Sequence, residues 1–95
     1  MIKHCVNSDG YECWTLDGIC HREDGPAIIH PSGACYWFNH GVFHRLDGPA
    51  IIRSNNTYGW YVEGIQITSA NMFLRISKCS KEHVSWLLLK YGKIE

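Results

Sequence analysis

At 95 residues the chain is one domain's worth, and a domain of this size buries only about two-thirds of the surface its unfolded chain exposes, so its core must be well filled. Nine basic side chains balance nine acidic ones, which leaves no electrostatic footprint for nucleic acid or for an anionic membrane. Aromatic residues make up 13% of the chain, four Trp and five Tyr among them, so large rings are expected to supply much of the packing.

The N-terminus, Met1-Ile2-Lys3-His4-Cys5, turns polar within a few residues and lacks the apolar core of a signal peptide. No stretch approaches the roughly 18 apolar residues of a membrane span. A soluble, cytosolic protein is expected. Five cysteines (Cys5, Cys13, Cys20, Cys35, Cys79) form no C-x-x-C pair, and in a reducing compartment they read as buried free thiols.

From here the chain is periodic. Trp14, Trp37 and Trp60 stand 23 residues apart, and each is followed four residues later by a glycine: Gly18, Gly41, Gly64. The first two glycines lead to His21-Arg22 and His44-Arg45. One residue further on, the string Asp-Gly-Pro-Ala-Ile-Ile occurs twice, as Asp24-Gly25-Pro26-Ala27-Ile28-Ile29 and as Asp47-Gly48-Pro49-Ala50-Ile51-Ile52. Gly10 aligns with Gly33, and Cys5-Val6 falls where the other units have Ile-Ile. The third unit keeps Trp60 and Gly64 but has Ile67-Thr68 in place of His-Arg, and there the repeat stops.

Each unit divides into short strands separated by turn residues. Ala27 to His30 is β-prone, Pro31-Ser32-Gly33 is a turn, and Cys35 to Phe38 is again β-prone. Asn39-His40-Gly41 offers Asn and Gly for positions with φ above zero. Val42 to His44 makes a brief third strand, and Leu46-Asp47-Gly48-Pro49 turns the chain again; a glycine tolerates the restricted backbone before proline. Loops this short require antiparallel neighbours, hence a β-meander built of 23-residue repeats. Alternation places Trp14, Leu16, Trp37, Trp60 and Val62 on one face, with Cys13, Thr15, Tyr36, Phe38 and Tyr61 on the other. The Trp face is expected to be the core stripe, since one hairpin cannot bury its apolar side alone.

Residues 69–95 change period and are expected to form a helical cap on the sheet of residues 1–68. Thr68 or Ser69 can cap a helix running to Ile76, with Met72, Phe73 and Ile76 on one side. Ser80 is a second N-cap, with Glu82 in the first turn where a negative charge suits the helix dipole. Val84, Leu87, Leu88 and Tyr91 fall at i, i+3, i+4 and i+7, and Gly92 is the stop. Trp86 and Leu89 lie off that stripe. A helix apolar on more than one side is buried or meets a partner.

The unit W-x3-G-x2-HR-x-DGPAII resembles the MORN-like repeats, in particular the short HR-x-DGPA version frequent in small accessory proteins of tailed bacteriophages. The resemblance covers residues 1–68. It implies a meandering β scaffold and, through that context, a role in blocking or redirecting a host protein, as inhibitors of bacterial defence such as anti-CRISPR proteins do in the host cytoplasm.

Candidate sites follow from what repeats and what does not. His21-Arg22 and His44-Arg45 look like catalytic or phosphate-binding pairs, yet a catalytic residue has no reason to be duplicated. Trp14, Trp37, Trp60, His21, Arg22, Asp24, Gly25, Pro26, His44, Arg45, Asp47, Gly48 and Pro49 therefore read as structural motif, each His a polar tip bonded to turn backbone and each Arg paired with its Asp or stacked on a ring. Only the neighbours Cys20-His21 approach zinc-ligand spacing, and adjacent strand residues diverge; no metal or cofactor is expected. Phosphate-cradling and hydrolase motifs are absent, and no third group orients a Cys-His pair. The residues expected to meet a partner are Trp86, Leu89 and Lys90, with Phe38 and Tyr61 on the sheet. The expected function is a non-enzymatic protein-binding module acting on a host protein. The alternative is a homo-oligomer that binds and sequesters a small molecule or nucleotide.

Overall fold

The structure is a computed structural model that describes residues 1–94. It is mainly β, with antiparallel strands in a meander and two helices at the C-terminus. The strands are β1 (Ile2–Val6), β2 (Glu12–Leu16), β3 (Ile19–Cys20), β4 (Ile28–Ile29), β5 (Cys35–Tyr36), β6 (Phe38–Asn39), β7 (Val42–Phe43), β8 (Ile51–Ile52), β9 (Tyr58–Gly59), β10 (Tyr61–Val62) and β11 (Ile65–Gln66). The helices are α1 (Ala70–Ser77) and α2 (Lys81–Tyr91).

Each unit uses two kinds of turn. The loops Asp17-Gly18, His40-Gly41 and Glu63-Gly64 all have positive φ at both residues, the two-residue geometry whose twist matches that of the flanking strands. The first of those strained positions falls on His40 rather than Asn39, which remains in β6. The second turn type places Gly10, Gly33 and Asn56 at positive φ, with Gly33 N–H donating to His30 O at 2.9 Å.

The β-prone run from Cys35 to Phe38 is not one strand. It changes partner at Trp37, whose N–H donates to Ala50 O (2.7 Å) while its C=O accepts from His44 N–H (3.1 Å). Residues before the Trp belong to a seven-stranded sheet ordered β1-β2-β4-β5-β8-β9, with β3 also on β2. Residues after it form the separate ribbon β6-β7, and β10-β11 repeats the pattern one unit later. Only β2 runs unbroken through its Trp, because β1 pairs with it along its whole length, from Ile2↔Leu16 to Val6↔Glu12. The meander therefore curls into a main sheet with side ribbons.

The core lies at the C-terminal end. Trp60, Val62, Ile67, Phe73, Val84, Leu87 and Ile94 form one buried cluster, with Tyr58, Met72, Leu88 and Tyr91 packed against it. Ser69 and Ser80 cap the two helices, accepting from Met72 N–H and His83 N–H, both at 3.1 Å. Gly92 N–H closes α2 on Leu88 O. The Trp stripe is core only in the third unit. Trp60 is 2% exposed, with Phe73 and Tyr91 edge-on to its ring at 5.6 and 5.8 Å, whereas Trp14 and Trp37 are half-buried. The helices reach Trp60 fully, so the other two rings need a different cover. No helix of the described residues is long and apolar enough to cross a membrane.

Phe73 is fully buried beside Trp60, so Phe73→Ala is expected to cost about 3–5 kcal/mol. Urea unfolding should show the loss as a lowered midpoint with an unchanged slope.

Candidate functional site

The His-Arg-x-Asp-Gly-Pro string builds the joints between units. His21 is 2% exposed, and its Nδ1 accepts the His40 N–H at 3.0 Å, across to the turn of the next unit. His44 repeats the bond, accepting from Glu63 N–H at 2.9 Å. Both rings therefore carry their proton on Nε2. The third unit has no following turn to hold, and Ile67 takes the place of the His and is buried in the core.

Each Arg is clamped on three sides. Arg22 Nε donates to Asp24 Oδ1 (2.9 Å), Nη1 donates to Pro26 O (3.2 Å), and the guanidinium lies 3.8 Å from the centre of the Trp14 ring. Arg45 reproduces this with Asp47 (3.0 Å), Pro49 O (3.1 Å) and Trp37 (3.8 Å). A planar guanidinium fits this combination of fork and stack, which lysine could not reproduce. The glycines of the motif leave the space. A Cβ at Gly25 would sit 2.9 Å from Arg22 Cζ, and one at Gly48 would sit 2.6 Å from Arg45 Cζ. Close approach, not the bond to proline, is what demands glycine there. The hydrogen bond from Arg22, reinforced by its charge, holds the exposed Asp24 carboxyl below the usual carboxylate range.

Between the Arg22 and Arg45 joints runs an open groove of about 540 Å³, lined among others by Arg22, Asp24, Trp37, His44, Arg45 and Asp47. Leu46, also on its wall, stands where the first unit has Glu23. His83 of α2 donates from Nε2 to Leu46 O at 2.8 Å, tying the helix to the groove's rim.

The residues expected to meet a partner divide between two surfaces. Trp86, Leu89 and Lys90 lie together on the outer side of α2. Trp86 is 49% and Leu89 88% exposed, the Lys90 ammonium stands 5.0 Å from the Trp86 ring, and the His83 ring stacks on the same indole. Phe38 and Tyr61 join a half-buried aromatic row instead, each against Phe43 at 4.5 and 5.1 Å. Strand alternation turns this row away from the Trp side, where α2 packs. Composition alone gave no means of separating the two groups, whereas the i, i+3 spacing of Trp86 and Leu89 did set them off the buried stripe. Leu46 and His83, which link helix to groove, carried no signal in the sequence because their contact joins positions 37 residues apart.

The cysteines are free, as expected, but not buried: Cys5 is exposed and the other four are half-buried. Partial burial, with Cys5 and Cys20 beside it, pushes the Cys13 thiol up, and burial does the same to Cys35 against the opposing charge of Arg45. Both shifts favour the thiol over the nucleophilic thiolate. Among the described residues, no three His, Cys, Asp or Glu side chains are gathered as metal ligands.

His21→Ala is expected to cost about 1–3 kcal/mol by orphaning the His40 N–H. His44→Ala should cost less, since water reaches its more exposed joint; paired denaturation curves check the order. The Asp24 contribution is present above the carboxyl's unfolded pKa and is lost as pH falls through its lowered folded value. Arg22→Gln should return the Asp24 titration, followed by NMR, to the ordinary range. Comparison of the chain with family models, with curated proteins and with solved structures found no match.

Proposed function

We propose that this chain is a non-enzymatic protein-binding module whose contact surface is the outer side of α2. The observation that carries the reading is the exposure of Trp86 and Leu89 on a helix whose inner side, Val84 and Leu87, is already buried. Trp is among the residues that dominate binding energy when an interface desolvates it. Here the His83 ring stacks on its indole, and the Lys90 ammonium lies over the ring at 5.0 Å. The non-enzymatic part of the reading is supported by the joints: the two histidines that suggest chemistry each spend Nδ1 on a backbone N–H of the next unit.

The nature of the partner rests on the resemblance of the HR-x-DGPA units to small bacteriophage accessory proteins. On that ground we infer a host protein in the bacterial cytoplasm, blocked or redirected as a counter-defence measure of the kind anti-CRISPR inhibitors exert. A second reading, sequestration of a small molecule or nucleotide, draws on the groove of about 540 Å³ between the Arg22 and Arg45 joints.

Affinity capture from bacterial lysate is expected to recover one stoichiometric host protein. Trp86→Ala with Leu89→Ala should lower its affinity at least tenfold, a loss of about 1.4 kcal/mol or more, while leaving the unfolding midpoint within experimental scatter. A folded double mutant with an unchanged partner profile would remove the α2 surface from consideration. Ligand-dependent shifts in Tm across a nucleotide panel would favour the groove instead.

A further inference from the structure

The stack of units is closed at one end and open at the other. Helices α1 and α2 cover the third unit, but among the described residues none covers the outer edge of β1, the outermost strand of the main sheet, and all five of its residues are exposed. We propose that two copies of the chain pair along β1, antiparallel about a two-fold axis at His4, to make one continuous sheet.

The backbone sets the register. Trp14 N–H is used on the β4 side, by Ala27 O, so the facing pair His4↔Trp14 exchanges no hydrogen bonds. Asn7 N–H donates to Tyr11 O, which fixes the alternation: Lys3, Cys5 and Asn7 bond inward to β2. Ile2, His4 and Val6 therefore direct their N–H and C=O groups outward, a row of unpaired donors and acceptors spaced evenly about His4. Antiparallel pairing with residue 4 opposite residue 4 matches Ile2 to Val6, His4 to His4 and Val6 to Ile2, and satisfies every outward group of both strands. A slip of two residues in either direction would leave one of these matched pairs unmade.

The side chains agree with that register. Ile2, His4 and Val6 share the face of Trp14, on which the His4 ring is stacked at 4.1 Å. Ile2 is 43% and Val6 59% exposed in a single chain, and the pairing sets each against the other, so both apolar residues gain a cross-strand neighbour. Lys3, a residue that commonly discourages edge pairing, lies opposite Cys5 and not opposite its own copy. Because the two contributing surfaces are identical and the far end of each stack is closed by helices, assembly stops at two chains. A foreign extended peptide would have no reason to reproduce the apolar pattern of β1 reversed about its centre; a second copy carries it by construction. The surface is also remote from α2, which packs at the Trp60 end of the sheet.

Light scattering over a series of loading concentrations tests the pairing, with an expected mass rising to twice the 10.9 kDa of one chain. Val6→Pro removes an outward N–H that the single chain does not use, and should halve that mass while leaving the circular dichroism spectrum and cooperative unfolding intact. Ile2→Lys with Val6→Lys, and separately Ile2→Asp with Val6→Asp, put like charges opposite each other in this register. Each should be monomeric alone, and mixing the two should restore the doubled mass. Trp86→Ala with Leu89→Ala should leave the dimer unchanged, so failure of the α2 surface and failure of β1 pairing are read separately. A wild-type mass of one chain at every concentration overturns the proposal. So does a dimer that survives Val6→Pro, a charge-swap mixture that stays monomeric, or a dimer lost only through Trp86 and Leu89.

Discussion

The hydrogen bond from a turn N–H to the histidine of the preceding unit is the constraint on which the stack depends. It joins residues 19 apart, His40 to His21 and Glu63 to His44, and so couples the end of one unit to the tightest turn of the next. The geometry leaves little freedom. An acceptor is needed at the position of Nδ1, on a ring flat enough to lie beneath a turn whose first residue is held at positive φ. Alongside it, Gly41 N–H donates to Cys20 O and Gly64 N–H to Phe43 O, so each joint is a small ladder and not a single tie. Where no further turn follows, the bond has no purpose, and Ile67 goes into the core instead.

The three tryptophans occupy equivalent positions and meet three different environments. Trp14 lies against His4 on the neighbouring strand and Arg22 of its own unit. Trp37 carries Arg45, which is itself within 5.9 Å of the Tyr91 ring on α2. Trp60 has no arginine and is enclosed by Phe73 and Tyr91. A guanidinium stacked on an indole, with two of its donors satisfied, shields the ring while keeping its edge in water. That contact is worth roughly 0.5–2 kcal/mol, against the larger gain of full burial at Trp60. The repeat can thus hold its shape without a complete hydrophobic core in every unit, and the burial is concentrated where the helices lie.

This gradient from an open first unit to a closed third unit organises what the surface can do. The repeated side chains are largely committed to one another, so distinct chemistry is left to the places where the period fails: the helix α2, the substitution of Leu46 for Glu23, and the uncovered β1. His83 connects the first two, since it bonds Leu46 O and also supports Trp86. The aromatic row of Tyr36, Phe38, Phe43 and Tyr61 gives the opposite side of the molecule its own packing, which is why Phe38 and Tyr61 do not extend the α2 surface.

The amino-acid sequence alone determined the features that depend on near neighbours. The 23-residue unit, the glycine-bearing turns, the Ser80 cap of α2 and the Val84, Leu87, Leu88 and Tyr91 stripe all follow from local sterics and short-range hydrogen bonding, which residue type encodes directly, whereas the choice of Ser69 over Thr68 as the cap of α1 was made by the folded chain. Duplication of the His and Arg was legible too and argues for scaffold, but the bonds they make, to the next unit's turn and to their own Asp, were visible only in the folded chain. Only the tertiary structure decided that Trp37 is where the strand changes partner, that Gly25 and Gly48 make room for a guanidinium, and that one tryptophan of three is core. Those outcomes turn on which unit or helix stands next to each residue, and an identical motif placed beside different neighbours has no way of announcing the difference.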